Sequence, residues 1–348
     1  MKKIFAALIA CAMALSLVAC SGGTSSSGGA STGGSSGGTS TGGSSTAGGD
    51  EEFVFDGPIT VVVPFNAGSA TDNQLRLMQA DLEEALGTNL VIVNSAGGSG
   101  TIGTTDFLNS YQPDGYTILY SLATPVVYKP LGGDTAYTYD DLKGVALTSS
   151  QPMYLILADT SPFQSAQEVL DYIAANPGDF TYANVGNGGN GHLAFASFLM
   201  GEGLEATSVP YTGGTADCYT AMMGGEVDAS VYGEADLLAR PECHGVINLG
   251  SKSTLEELAD VPTLADLGYE GYETNNMAGF FYDKDVPDAA VAAFEAAVQT
   301  VLTNEEFVQR ATAAGFDPTF ATGAELDEMA HQAIESARPV LEAMAAEQ

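Results

Sequence analysis

Three turns carry residue types that can bind an anion without a cationic side chain. They read Pro64-Phe-Asn-Ala-Gly-Ser-Ala-Thr-Asp72, Ala96-Gly-Gly-Ser-Gly-Thr-Ile-Gly103 and Gly186-Asn-Gly-Gly-Asn-Gly191. Each follows an apolar run and opens a helical pattern. Small residues let a ligand reach backbone N–H groups, and the adjoining helix N-terminus favours negative charge. Glycine also supplies tight turns in any α/β protein, but three such turns on a chain with few basic residues point to a site built from backbone. Two of them also fit G-x-G-x-x-G, at Gly98, Gly100, Gly103 and at Gly186, Gly188, Gly191. A dinucleotide needs an acid about 20 residues on, at the end of the next strand. Glu205 precedes the strand that starts near Ala206, and the stretch from Tyr116 to Ser121 offers no acid in that place. No nicotinamide or other cofactor is expected.

Catalysis finds no better footing. The chain has no G-x-S-x-G elbow, so a serine hydrolase lacks its turn. His192 opens a helical stretch, where it can cap the helix or touch a ligand, but it has no recognisable nucleophile beside it. Cys218 and Cys243 with His244 lack a fourth zinc ligand at sensible spacing, so no metal site is expected. The many carboxylates are mostly scattered singly and read as solvated faces. The residues indicate a binding protein rather than an enzyme; an exported α/β enzyme is the rival from another class.

The elements that must position these turns follow from the apolar rhythm. Ile59 to Val63 is a mostly β-branched run, suited to a strand buried on both faces. Leu75, Met78, Leu82 and Leu86 recur at helical spacing, and Gly87 stops them. Leu90 to Val93 is the next strand, a short helix follows around Phe107, and Tyr116 to Ser121 is a third strand. The rhythm restarts with strands at Tyr154–Ala158, Phe180–Val185, Ala206–Tyr211 and Val227–Tyr232. Helices at Ser165–Asn176, Gly191–Met200 and Thr215–Met223 stand between them. Gly279 to Tyr282 is a last strand before helices from Pro287, in which Val291, Phe294, Val298, Val301 and Leu302 line one face. Strand–helix alternation predicts parallel α/β sheets, and two such blocks predict two lobes around a cleft.

The chain has 348 residues, 10 Lys+Arg against 44 Asp+Glu, and a net charge of −34. Such a surface repels phosphate backbones, so nucleic acid is excluded as a partner. Residues 1–19 read as a signal peptide: Lys2 and Lys3 precede an apolar run too short to span a bilayer. The run ends Leu17-Val18-Ala19-Cys20, which looks like a lipobox, so the Cys20 thiol is expected to carry a diacylglycerol. Residues 20–50 then form a tether, since Ser21 to Gly49 holds only Gly, Ser, Thr and Ala and has nothing to bury. Localisation is accordingly extracytoplasmic, lipid-anchored at the cell membrane. In an exported chain the remaining cysteines, Cys218 and Cys243, are expected to form a disulfide.

A series of strings in order gives the chain a family resemblance. They are Val63 to Asp72 with Leu75-Arg76, Val91-Ile-Val-Asn94 with Gly97 to Gly103, Pro113-Asp-Gly-Tyr-Thr117 and Tyr182-Ala-Asn-Val-Gly186 with His192-Leu193. Val209-Pro-Tyr-Thr-Gly213, Gly224-Gly-Glu-Val-Asp228 and Asp260-Val-Pro-Thr-Leu-Ala265 with Gly268-Tyr269 continue the match. Together they resemble the solute-binding receptors of tripartite tricarboxylate transporters across nearly all of residues 57 to 325. The resemblance implies a two-lobed periplasmic-binding-protein-like (type II) α/β fold with a cleft between lobes joined by crossing strands. On this chain the lobes fall at 55–152 plus 279–348 and at 153–278. It further implies a small carboxylate solute, di- or tricarboxylate, held by backbone amides and ordered waters and delivered by a monomer to membrane transporter subunits. An amino acid or neutral solute is the alternative within binding proteins. Carried over residue by residue, the ligand contacts are Phe65, Asn66, Ala67, Gly68, Ser69 and Asp72, facing Gly186, Asn187, Gly188 and His192. Thr124 and Tyr211, Thr212 and Gly213 are further wall residues. Asn66-Ala-Gly-Ser69 departs from the family's frequent Pro-Ala-Gly-Gly, and Asn94-Ser-Ala96 from Glu-Asn-Arg-Pro.

Overall fold

A computed structural model describes residues 53–133, 135–211 and 214–346. The leader, the tether with Cys20, and Thr212 and Gly213 lie outside the described residues. Strand β1 (Ile59–Val63) forms where β-branched residues are shielded on both faces, and Ile59, Val61, Val62 and Val63 are all buried. Helix α1 (Ala70–Leu86) turns Leu75, Met78 and Leu82 onto the sheet and ends at Gly87, whose φ of 68° is left-handed. Then come β2 (Leu90–Asn94), α2 (Thr101–Ser110) and β3 (Thr117–Leu122), with β1 parallel to both of its neighbours. A π-helical turn at Thr124–Tyr128 runs into the short α3 (Lys129–Leu131).

Strand β4 (Leu142–Ala158) is far longer than the stretch Tyr154–Ala158 that its apolar run predicts. It is followed by α4 (Ala166–Ala175), β5 (Thr181–Asn184), α5 (Asn190–Gly201), β6 (Thr207–Pro210), α6 (Thr215–Met223), β7 (Ala229–Gly233), α7 (Glu234–Leu238) and β8 (Cys243–Asn248). Strand β9 (Asn275–Asp283), α8 (Asp288–Leu302), α9 (Glu305–Ala313), β10 (Ala321–Thr322) and α10 (Gly323–Ala346) complete the order.

The strands run in the order β2-β1-β3-β9-β4-β7-β5-β6. Parallel trios stand at the two ends, as the alternation predicts. Between them β3–β9, β9–β4 and β4–β7 are antiparallel, so the sheet is mixed. Residues Leu142 to Pro152 of β4 pair with β9, and Met153 to Ala158 pair with β7 and β8. One strand thus belongs to both halves of the molecule. Separate apolar cores pack against each half, with Phe280, Phe294 and Tyr120 in one and Phe180, Phe195 and Phe198 in the other. This is an α/β fold of two lobes.

The expected disulfide is not formed: Cys218 and Cys243 are free thiols. Cys218 is buried on α6, where loss of solvent pushes its thiol up to about 11. Cys243 lies against Met223 Sδ, at 4.0 Å. Cys243, on β8, thus meets α6 through Met223, five residues beyond Cys218.

Candidate functional site

The first wall grows from the turn after β1. Asp72, on the first turn of α1, is fully buried and accepts three bonds. They come from the Gly68 N–H at 2.7 Å, Arg76 Nε at 2.8 Å and Asn94 Nδ2 at 3.0 Å. Burial by itself would raise the carboxyl, but these donors outweigh it and hold Asp72 down at about 2. Asn94 Nδ2 also reaches the Phe65 carbonyl at 3.1 Å, so one side chain ties the turn to both its base and its helix. Gly68 sits at φ 80°, which only glycine adopts freely. Its N–H is occupied by Asp72. The amides of Ala70 and Thr71, one and two residues past the Ser69 cap, have no partner among the described residues. Both residues line the cleft.

The second wall repeats the device from β5. Asn184 Oδ1 accepts from the Gly186 N–H at 2.9 Å, and His192 Nδ1 accepts from the Gly188 N–H at 3.1 Å. His192 is buried beside Tyr182, with the rings near parallel at 6.4 Å between centroids. Burial lowers it to about 4, so the imidazole is neutral and its proton sits on Nε2, since Nδ1 is an acceptor. The residue before helix α5, Gly189, offers no side-chain cap. The amides of Asn190 and Gly191 are again without partners among the described residues. So are both side-chain atoms of Asn190, Nδ2 and Oδ1, although they are shielded from solvent. Leaving such a group unpaired costs on the order of 1–3 kcal/mol.

Both helix starts open into one cleft of about 750 Å³, a volume suited to a small metabolite. Phe65, Gln74 and Thr124 line it from one half, and Val185, Asn187, Asn190 and Asp236 from the other. Gln151 of β4 and Asn276 of β9 contribute from the crossing strands. Lys129 is also in the wall. Asp236 is held by Arg240 Nη1 at 3.1 Å and by the Thr215 hydroxyl at 3.0 Å. The arrangement can receive an anion on partnerless amides at two helix N-termini, with polar side chains between them.

Of the residues carried over from the sequence, Phe65, Thr124, Gly186 and Asn187 line this cleft. Gly68, Asp72, Gly188 and His192 lie behind it and shape its turns. Asn66, Ala67, Ser69 and Tyr211 are not among the lining residues. Asn190 lies in a turn that the sequence had already picked out, Gly186 to Gly191, so it was within reach of that reading. Gln74 is one helical turn from Thr71 and was likewise within reach. Gln151 and Asn276 had no local signal, because long-range pairing of β4 with β9 places them together.

Fold and site together define a two-lobed solute-binding receptor. Residues 74–345 match the family model described as the tripartite tricarboxylate transporter family receptor, and the chain belongs to that family. It is 30% identical over 259 residues to the UPF0065 protein of the tcbD–tcbE intergenic region of Pseudomonas sp. (strain P51), covering 72% of this chain and 76% of that one. A TctC solute-binding protein from Polaromonas superposes with a TM-score of 0.71 at 24% identity, over 82% of this chain and 98% of that one. An R. palustris protein solved with adipate superposes with a TM-score of 0.66 at 25% identity, over 82% of this chain and 97% of that one. Among the described residues no helix is long and apolar enough to cross a membrane, and no group of three His, Cys, Asp or Glu could hold a metal ion.

Proposed function

We propose that this protein captures a small di- or tricarboxylate outside the cytoplasm and delivers it to the membrane subunits of a tripartite tricarboxylate-type transporter. The observation that carries the reading is the pair of helix starts, at Ala70–Thr71 and Asn190–Gly191, whose partnerless amides share one cleft. Amide donors preorganised at a helix N-terminus suit carboxylate oxygens, and they gain strength as water is excluded. Adipate in the R. palustris relative is a dicarboxylate, which agrees with this choice. The lobes, 55–152 plus 279–348 and 153–278, would close over the solute by bending where β4 and β9 cross between them. A diacylglycerol on Cys20 would hold the receptor near its transporter, with the Gly/Ser-rich tether leaving the lobes free.

The test is a thermal-shift screen over mono-, di- and tricarboxylates, amino acids and sugars. A rise in melting temperature with a carboxylate, and recovery of that carboxylate unchanged, is the expected result. A response to sugars alone would overturn the reading. Cys20→Ser should release the protein from the membrane fraction with its affinity unaltered; a variant retained there would remove the anchor.

A further inference from the structure

Asn190 is the wall residue that a plain carboxylate leaves unexplained. It is 6% exposed, it opens α5, and neither Nδ2 nor Oδ1 has a partner among the described residues. Several polar side chains of the cleft and its turns are committed. Asn184 holds the Gly186 amide and Ser208 Oγ, His192 holds the Gly188 amide, and Gln74 accepts from Tyr120. Asp236 serves Arg240 and Thr215. A primary amide presents a donor and an acceptor in one plane, whereas an ionised carboxylate only accepts. Carboxylate oxygens can therefore satisfy Nδ2 and the first-turn amides of α5, but they leave Oδ1 unpaired. A ligand donor close beside the carboxylate would pair both amide atoms at once.

We propose that the solute bears an O–H or N–H donor on the carbon next to its carboxylate, and that this group donates to Asn190 Oδ1 while Nδ2 and the α5 amides hold the carboxylate. The inference rests on the carboxylate reading and narrows it to hydroxy- or amino-carboxylates. A site built to accept from such a donor discriminates strongly against the analogue lacking it, because its own buried group is then left unpaired.

Calorimetric titration of the full chain with matched series tests this. One series is succinate, malate and aspartate; another is glutarate, 2-hydroxyglutarate, glutamate and 2-oxoglutarate, the last polar at the same carbon but without a donor. In the skeleton that the cleft accepts, the hydroxy or amino member should bind at least tenfold tighter than the unsubstituted and oxo members. Asn190→Ala should shrink that preference below threefold, with the ligand-free melting temperature held or raised, since the amide supports nothing in the fold. Equal affinity within the wild-type series would overturn the inference and leave the carboxylate reading standing. So would a preference that survives Asn190→Ala, or a large loss of melting temperature in that variant. If no carboxylate binds while another solute does, both readings fall.

Discussion

Two titratable residues, Asp72 and His192, support the binding turns from behind, and their titration should be separable in the stability of the protein. His192 falls from an ordinary value of 6.5 to about 4 through burial, so between those limits the unfolded chain binds more protons than the folded one. Stability is therefore full above about pH 6.5 and declines as pH falls toward 4. Asp72 is lowered from 3.8 to about 2 by its three donors, so its contribution is present above about pH 4 and is lost as pH falls toward 2. Substituting His192→Asn keeps an acceptor for the Gly188 N–H and removes the titration. Denaturation measured from pH 7 to 3 should then show the upper decline vanish and the lower one remain. An unchanged profile would show that His192 does not titrate in this environment. Asp72→Ala leaves the Gly68 amide and Asn94 without their acceptor and should cost on the order of 3 kcal/mol. The family resemblance brought both residues into the expected site as ligand contacts, within turns that the sequence had singled out. It could not tell which face of the turn they occupy, since the Gly68 and Gly188 amides can bond inward or toward a ligand with the same residues in place.

At the scale of elements, glycines in similar motifs do different work. Gly103 closes a G-x-G-x-x-G string, yet a Cβ there would meet the Ser95 carbonyl at 2.2 Å and Pro64 Cα at 2.8 Å. Its backbone dihedrals are ordinary, so close packing of α2 against the ends of β1 and β2 is what requires glycine. Gly68 is the converse: nothing lies within 4 Å of its Cβ position, but φ is +80°. Gly103→Ala should cost about 1–3 kcal/mol by overpacking, and Gly68→Ala about 1 kcal/mol by backbone strain alone. Urea denaturation that ranked them in the opposite order would refute this division. The same elements show where sequence was readable. Ile59–Val63 and the Leu75, Met78, Leu82 stripe declared themselves, because a doubly covered strand and an amphipathic helix each impose a local period. The first part of β4 did not, because Ser149-Ser-Gln-Pro152 has the composition of a turn. It is extended only because β9 pairs with it from Leu142 to Pro152, a partnership more than a hundred residues away in sequence. Strand β8 was missed for a related reason: its polar start, Cys243-His-Gly245, is held by pairing with the end of β4.

For the whole molecule the governing quantity is a net charge of −34. An anionic solute approaches against a summed field that can reach several kT at the surface of so acidic a body. Little in the cleft reverses this locally. Arg76 is tied to Asp72 at 2.8 Å, and the cleft wall that holds Lys129 also holds the carboxylate of Asp236. Attraction must then come from amides at the starts of α1 and α5, which act at hydrogen-bond range inside the cleft. Salt shortens the long-range repulsion to about 8 Å at physiological strength, while contacts in a closed cleft are screened much less. Raising ionic strength from low to physiological should therefore speed association with a dicarboxylate or leave it unchanged, with the dissociation rate nearly constant. Stopped-flow traces at several salt concentrations separate the two rates. A receptor that drew its anion in through a basic funnel would show association slowing with salt. Such slowing here would mean that Lys129 dominates the field at the mouth, and Lys129→Gln should then abolish the salt dependence. If the rate instead rises with salt in both the parent and Lys129→Gln, capture rests on the backbone donors of the two helices.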